Sequence, residues 1–283
     1  MPSVTSCIAI GNERLSLGPH SDRARMDSEL LLMRVLERNK AWLLAHDDDD
    51  VQQEACARFV ELIERRYRGE PIQHITGECE FFGLPFKVTR DVLVPRPDTE
   101  HLVEKVMELA QRFEAPRIVD IGTGSGAIAV ALAHKLPAAR ITATDLSESA
   151  LAVARENAEQ NQVAARIRFL QGDLLVPLAG ERFEIVVSNP PYVPNTDRAL
   201  IAFEVREYEP ALALFGGEDG LDVYRRLIPA AHVALVPGGF LVLEIGFSQA
   251  EAIERLLASH GFKAIEFTPD LQGIPRVASA QRG

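Results

Sequence analysis

The chain has 283 residues, 47% of them hydrophobic and 25% charged, and a formal charge of −11; this is ample for a buried core in one large domain or two smaller ones. The acidic excess runs throughout, with 12 basic against 15 acidic residues over 1–90 and 18 against 26 over 91–283, which argues against a nucleic-acid backbone as the main partner. No apolar run reaches the ~18 residues of a membrane span, no basic-then-apolar leader opens the chain, and three cysteines without a C-x-x-C pair suit a reduced, cytoplasmic protein.

Residues 1–21 read as an irregular N-terminal extension. Residues 22–70 read as a small helical domain: DSELLLMRVLERN sets Leu30, Leu31, Val35 and Leu36 on one face, and VQQEACARFVELIERRYRG repeats the pattern with Phe59, Leu62 and Ile63. Trp42 is its expected core anchor. The Asp47–Asp50 run lacks the glycine and closing glutamate of a calcium loop and reads as a solvated loop. No histidine or cysteine sits at ligand spacing, so no metal is expected. Residues 71–95 alternate apolar and polar positions around two glycines, the pattern of a β-hairpin linker, with Phe81 and Phe82 as core residues.

From 96 to 283 the rhythm becomes helix, then strand and helix in alternation. RPDTEHLVEKVMELA is an amphipathic helix with Asp98 as N-cap. Strands follow at 117–122, 141–146, 167–173, 183–189 and 238–246, separated by helical stretches such as GAIAVALAHKL. Ser248-Gln249-Ala250-Glu251 has the form of a capping box, and KAIEFTPD with RVASAQR closes the chain as an antiparallel pair. Apolar strands alternating with helices predict an α/β fold, a mostly parallel sheet covered on both faces.

Gly122-Thr123-Gly124-Ser125-Gly126 lies between a strand and a helix. Glycine permits positive φ and removes the Cβ, so a cofactor presses against backbone at a helix N-terminus. Asp145 ends the next strand, where a carboxylate grips ribose hydroxyls. With Ala127 the loop also satisfies the dinucleotide fingerprint, so it does not by itself choose NAD over S-adenosylmethionine. Asp120, Asp173 and the G-x-G-x-G form lean toward the methyl donor.

The fourth strand runs into Ser188-Asn189-Pro190-Pro191-Tyr192, at the carboxyl edge where open α/β sheets hold ligands. Pro190 and Pro191 lock φ and have no N–H. Carbonyl and Asn189 acceptors beside the Tyr192 ring suit a planar –NH₂ group, whose nitrogen is a poor nucleophile. Hydrogen bonds from both N–H groups to Asn189 Oδ1 and the Pro190 carbonyl orient its lone pair and stabilise charge developing on nitrogen.

From about residue 23 to the C-terminus the chain resembles the protein-(glutamine-N5) methyltransferases that modify peptide-chain release factors, the HemK/PrmC type. GEPIQHITGECEFFGLPFKV, VLVPRPDTEHLVE, VDIGTGSGAIAVALA, SNPPYVP, VREYEPALALFGGEDGLDVYRRL and PGGFLVLEIG carry the likeness. NPPY itself is shared with enzymes that methylate adenine or guanine amino groups. The resemblance implies a Rossmann-like class I methyltransferase domain with a seven-stranded sheet over 96–283. It implies that Gly122, Thr123, Gly124, Ser125 and Gly126 surround the methionine portion of S-adenosylmethionine, that Asp145 holds the ribose and that Asp173 and Leu174 flank the adenine. Many relatives have an aromatic in place of Leu174. Asn189, Pro190, Pro191 and Tyr192 hold the glutamine of a Gly-Gly-Gln tip in class I release factors, Asn189 also contacting the cofactor, with S-adenosylhomocysteine as product. The helical domain docks the factor's body, and Arg96 and Glu100 brace the linker or form a plain interdomain salt bridge. A nucleic-acid amino-methyltransferase stands as the alternative, and an NAD(P) oxidoreductase behind it; the latter leaves NPPY unused.

Overall fold

The computed structural model describes residues 1–283, which divide into two compact units: Met1–Gly77 with Ala202–Tyr208, and Glu78–Ile201 with Glu209–Gly283. In chain order the elements are helices α1 (Val4–Ser16), α2 (Ala24–Leu36), α3 (Lys40–Ala45), α4 (Gln53–Tyr67) and α5 (Ile72–Thr76), then strands β1 (Glu78–Phe81) and β2 (Leu84–Lys87). They continue with α6 (Thr99–Ala110), β3 (Arg117–Ile121), α7 (Ala127–Lys135), β4 (Arg140–Asp145), α8 (Glu148–Gln160), β5 (Ile167–Gln171) and β6 (Phe183–Ser188). The last are α9 (Phe203–Tyr208), α10 (Ala211–Leu214), α11 (Asp222–Ala234), β7 (Leu235–Glu244), α12 (Ala250–Ser259), β8 (Phe262–Pro269) and β9 (Pro275–Arg282).

The first unit corrects the expectation of an irregular extension over 1–21. Ser3 caps α1, and Val4, Cys7, Gly11 and Leu15 form its buried stripe. Polar and small residues dilute that stripe in the sequence, but Gly11 is what lets α2 approach: a Cβ there would stand 2.4 Å from Ser28 Oγ. The start of α1 is tied down by the Asp47 and Asp49 carbonyls, which accept from Thr5 and Val4. Trp42 is only half-buried, stacked on His46 at 4.3 Å, while its neighbour Leu43 is the buried residue. Burial of Arg66 is compensated by ion pairs, Nε to Asp27 at 2.6 Å and Nη1 to Glu204 of α9 at 2.9 Å; removing one partner of such a pair is costly. The α9 segment therefore belongs to the helical unit although it follows β6 in sequence, and Phe203 packs against Gly69.

The linker expected over 71–95 begins with a helical turn instead. Pro71 precedes α5 and Gly77 closes it in the left-handed conformation; only then comes the β1–β2 hairpin. In the second unit a seven-stranded sheet has the order β5-β4-β3-β6-β7-β9-β8. β5, β4, β3, β6 and β7 are parallel, and β9 and β8 join antiparallel. Side-chain alternation divides the core. Ile118, Ile185, Val187 and Val242 face α6 and α7 on one side. Val119, Ile121, Val186, Leu241 and Leu243 face α11 and α12 on the other. This is the doubly covered α/β sheet expected from the strand–helix rhythm.

Asp98 is the N-cap residue of α6 as expected, but its side chain makes no capping hydrogen bond and faces Arg276 at 3.4 Å. Gln249 rather than Ser248 precedes α12, and its side chain is engaged elsewhere.

Candidate active site

Parallel strands leave their carboxyl ends on one edge, and the order reverses between β3 and β6, so the chain parts there and opens a crevice. A cleft of about 330 Å³ occupies that position. Its first wall is backbone. Gly122, Gly124 and Gly126 all have positive φ, at 71°, 54° and 81°. A Cβ on Gly122 or Gly124 would meet nothing within 4 Å, whereas one on Gly126 would lie 3.0 Å from Ala154 Cβ. The first two glycines thus leave the chain bare toward the cleft, and the third brings α7 against α8. Thr123 donates to Asp120 Oδ2 at 2.6 Å beneath the loop, and burial pushes the Asp120 carboxyl up to about 7.

Asp145 ends β4 and fixes this loop from the side. Its Oδ2 accepts from the Gly124 N–H at 2.8 Å and its Oδ1 from the Ser147 N–H at 2.9 Å. Burial raises its pKa and these backbone donors oppose the rise. Farther along, Asp173 pairs with Arg226 of α11, and Leu174 takes φ 49° with its carbonyl accepting from Thr144 at 3.1 Å.

The second wall is a chain of side chains. At the end of β6, Asn189 donates from Nδ2 to Thr99 Oγ1 at 3.2 Å. Thr99, the first residue of α6, donates to Glu244 Oε2 at 2.6 Å, and Tyr192 donates to Glu244 Oε1 at 3.3 Å. Tyr224 adds a bond from its hydroxyl to the Glu244 carbonyl at 2.7 Å. Glu244 is 2% exposed, and burial lifts its carboxyl from the ordinary 4.5 to about 7 against the bonds from Thr99 and Tyr192. Burial likewise raises the Tyr192 hydroxyl, with the Glu244 charge adding to it.

The proline corner is held by backbone pairing. Val193 donates to Leu214 at 2.9 Å and accepts from Gly216 at 3.0 Å. Two glycines make this approach possible, since a Cβ would lie 2.5 Å from the Pro191 oxygen at Gly216 and 2.2 Å from the Tyr192 oxygen at Gly220. Gln249 completes the support. Its Nε2 donates to the Tyr192 carbonyl at 3.0 Å and its Oε1 accepts from Gly246 at 2.9 Å.

Of the residues singled out in the sequence, Gly122, Thr123, Gly124, Ser125, Asp145, Asp173, Leu174, Asn189 and Pro191 line the one cleft. Gly126 is buried, Pro190 is buried between the cleft-lining Asn189 and Pro191, and the Tyr192 ring packs with the core under α11 and α12. Arg96 lines the cleft and bonds Glu209 at 2.6 Å, while Glu100 accepts from the Phe82 N–H at 2.8 Å. Arg96 and Glu100 therefore serve different contacts rather than one brace. Thr99, Glu244 and Gln249 were missed. The signal for Glu244 was present, an acid inside the apolar strand FLVLEIG.

Residues 12–77 match the family model of the PrmC N-terminal domain and residues 98–205 that of the methyltransferase small domain. A release factor glutamine methyltransferase of Moorella thermoacetica is 46% identical over 262 residues, covering 92% of each chain. Another, from Koribacter versatilis, is 42% identical and covers 91% of each. A Pyrococcus furiosus methyltransferase of known structure shares the fold, with a TM-score of 0.53 at 20% identity over 71% of this chain and 90% of its own. With identity at this level over more than nine-tenths of the chain, the chain belongs to the release factor glutamine methyltransferase family.

Proposed function

We propose that this protein methylates the side-chain amide nitrogen of a glutamine in a peptide-chain release factor, the Gly-Gly-Gln glutamine of class I factors, with S-adenosylmethionine as donor. The observation that carries the reading is the Asn189 side chain, standing on the wall of a nucleotide-type cleft with Nδ2 held by Thr99. The cleft suits the donor. Bare backbone at Gly122 and Gly124 leaves room for close approach, and the Asp145 carboxylate lies on the wall where ribose hydroxyls are gripped. Asp173 and Leu174 are assigned to the adenine, and the loop Gly122–Gly126 to the methionine portion.

When bound, S-adenosylmethionine supplies an electrophilic methyl on a sulfonium sulfur. The protein's task is to make an amide nitrogen meet it. Asn189 Oδ1 and the Pro190 carbonyl each accept one N–H of the glutamine –NH₂, which fixes its plane and turns the nitrogen lone pair toward the donor. The same two acceptors stabilise positive charge as nitrogen becomes bonded to the methyl carbon. The extra proton leaves nitrogen after the new bond forms, so no strong base is required beforehand. Pro191 and Tyr192 hold the corner rigid. The helical unit is assigned to docking the body of the factor. No helix is long and apolar enough to cross a membrane, consistent with cytoplasmic translation as the setting.

The test uses methyl-labelled S-adenosylmethionine and a purified release factor. Label is expected in the factor, lost on protease treatment and absent when its Gly-Gly-Gln glutamine is replaced. Label that resists protease and is lost with nuclease would instead favour a nucleic-acid amino group.

A further inference from the structure

We propose that Glu244, acting through the Thr99 hydroxyl, is the positioning residue that turns the Asn189 amide so that oxygen, not nitrogen, faces the substrate, and that it does so only when ionised. The inference rests on the glutamine-methylating reading of the cleft and adds to it the group that sets the polarity of the amide clamp.

The reasoning follows from counting protons. An amide such as Asn189 has an acceptor and a donor end of nearly equal shape. Only the orientation with Oδ1 toward the cleft accepts an N–H from a substrate amide. Thr99 has one hydroxyl proton. With Glu244 as a carboxylate, both its oxygens are acceptors, so Thr99 donates its hydrogen bond to Oε2 at 2.6 Å, the short separation of a charge-assisted bond. Tyr192 donates its own to Oε1. The Thr99 oxygen is then left only with acceptor capacity toward Asn189, which presents Nδ2 to it at 3.2 Å. Oδ1 is the end that remains for the substrate.

Protonation of Glu244 on Oε2 reverses the chain. The acid donates to Thr99, the Thr99 proton becomes free to donate to Asn189, and the amide turns Nδ2 toward the cleft. A donor then faces a donor. The groups around Glu244 are Asp98 and Thr99 at the start of α6, Tyr192 after β6, Tyr224 on α11 and Arg276 on β9. Asp98 favours the acid, and Thr99, Tyr192 and Arg276 the carboxylate, and burial brings the balance to about 7. The switch therefore lies where modest changes of pH reach it.

Two measurements on the full chain test this. In the first, methyl transfer from labelled S-adenosylmethionine to a release factor is followed from about pH 6 to about pH 8 for the wild type, Thr99→Val, Thr99→Ser and Glu244→Gln. The wild-type kcat is expected to fall as pH drops through about 7. Thr99→Val is expected to lose about 10–100-fold in kcat with cofactor affinity kept, the size of a lost bond to a charged group. Thr99→Ser recovers most of that loss, and Glu244→Gln lowers kcat and abolishes the acid limb. The second needs no variant enzyme and no turnover. The affinity of the wild type, loaded with S-adenosylhomocysteine, is compared for the release factor and for a form with glutamate in place of the substrate glutamine. Discrimination for glutamine is expected to be at least about tenfold above pH 7 and to collapse below it, because a turned Asn189 offers Nδ2 to a carboxylate.

A wild type that transfers no methyl to the factor overturns the functional reading itself. A wild type that transfers methyl, while glutamine discrimination stays constant with pH, overturns the Glu244 proposal and leaves that reading standing. An acid limb that survives in Glu244→Gln has the same consequence.

Discussion

At the glycine loop the cleft wall is bare backbone with the half-buried Asp145 carboxylate pulled against it, whereas at the proline corner it is a relay of four side chains ending on a buried acid. Both walls stand at the same reversal of strand order, yet they solve different problems. Holding a cofactor calls for shape, and shape comes from three glycines within five residues. Activating an amide calls for donors and acceptors of fixed polarity. That polarity comes from residues 99, 189, 192 and 244, which meet only because α6, β6 and β7 converge. On the proposed reading binding and chemistry fall on different walls, and the variants below are ways to pull them apart.

The largest effect is expected at Asn189. Asn189→Ala removes the acceptor that contacts the reacting nitrogen and should lower kcat by about 10²–10³-fold, the usual cost of one such group. Cofactor affinity, measured by calorimetry, should change less than about threefold, since the backbone wall is untouched. Equal loss of both would mean that the two walls are one.

Gly124→Ala is the converse experiment. Gly124 sits at φ 54° with its backbone open to the cleft. A methyl group there costs about 1–2 kcal/mol in the left-handed region and intrudes where the cofactor presses. Cofactor affinity should fall about tenfold or more, while kcat at saturating cofactor stays near the wild type. A fall in kcat without a change in affinity would place the loop in the chemistry.

The same contrast decides how much was legible in the sequence. The glycine loop, Asp145 and the NPPY corner are local strings, each encoding its own backbone geometry, and the structure sets them at one strand edge, with the Tyr192 ring taken into the core. The alternation of apolar strands with helices likewise carried the sheet and its two covered faces. Thr99, Glu244 and Gln249 act at a distance, and no local pattern names their partners. Ser248-Gln249-Ala250-Glu251 even mimics a cap, although Gln249 spends its side chain on the Tyr192 and Gly246 backbone. α1 was missed for a related reason: its buried stripe includes Gly11 and Cys7, small residues whose value lies in the helix they allow to approach.

Leu174 offers the smallest and most selective probe of the backbone wall. It lines the cleft beside Asp173 and takes a φ of 49°, a conformation in which leucine and phenylalanine are equally strained. The strain therefore cancels in Leu174→Phe, and what remains is the exchange of an aliphatic contact for an aromatic face. Against an adenine ring that exchange contributes about 0.5–1.5 kcal/mol, so cofactor should bind about two- to tenfold more tightly. The gain should appear equally for S-adenosylmethionine and S-adenosylhomocysteine, which share the adenine, and kcat should not rise with it. An unchanged affinity for both would move the adenine away from Leu174 and leave Asp145 as the cofactor's main anchor on that wall.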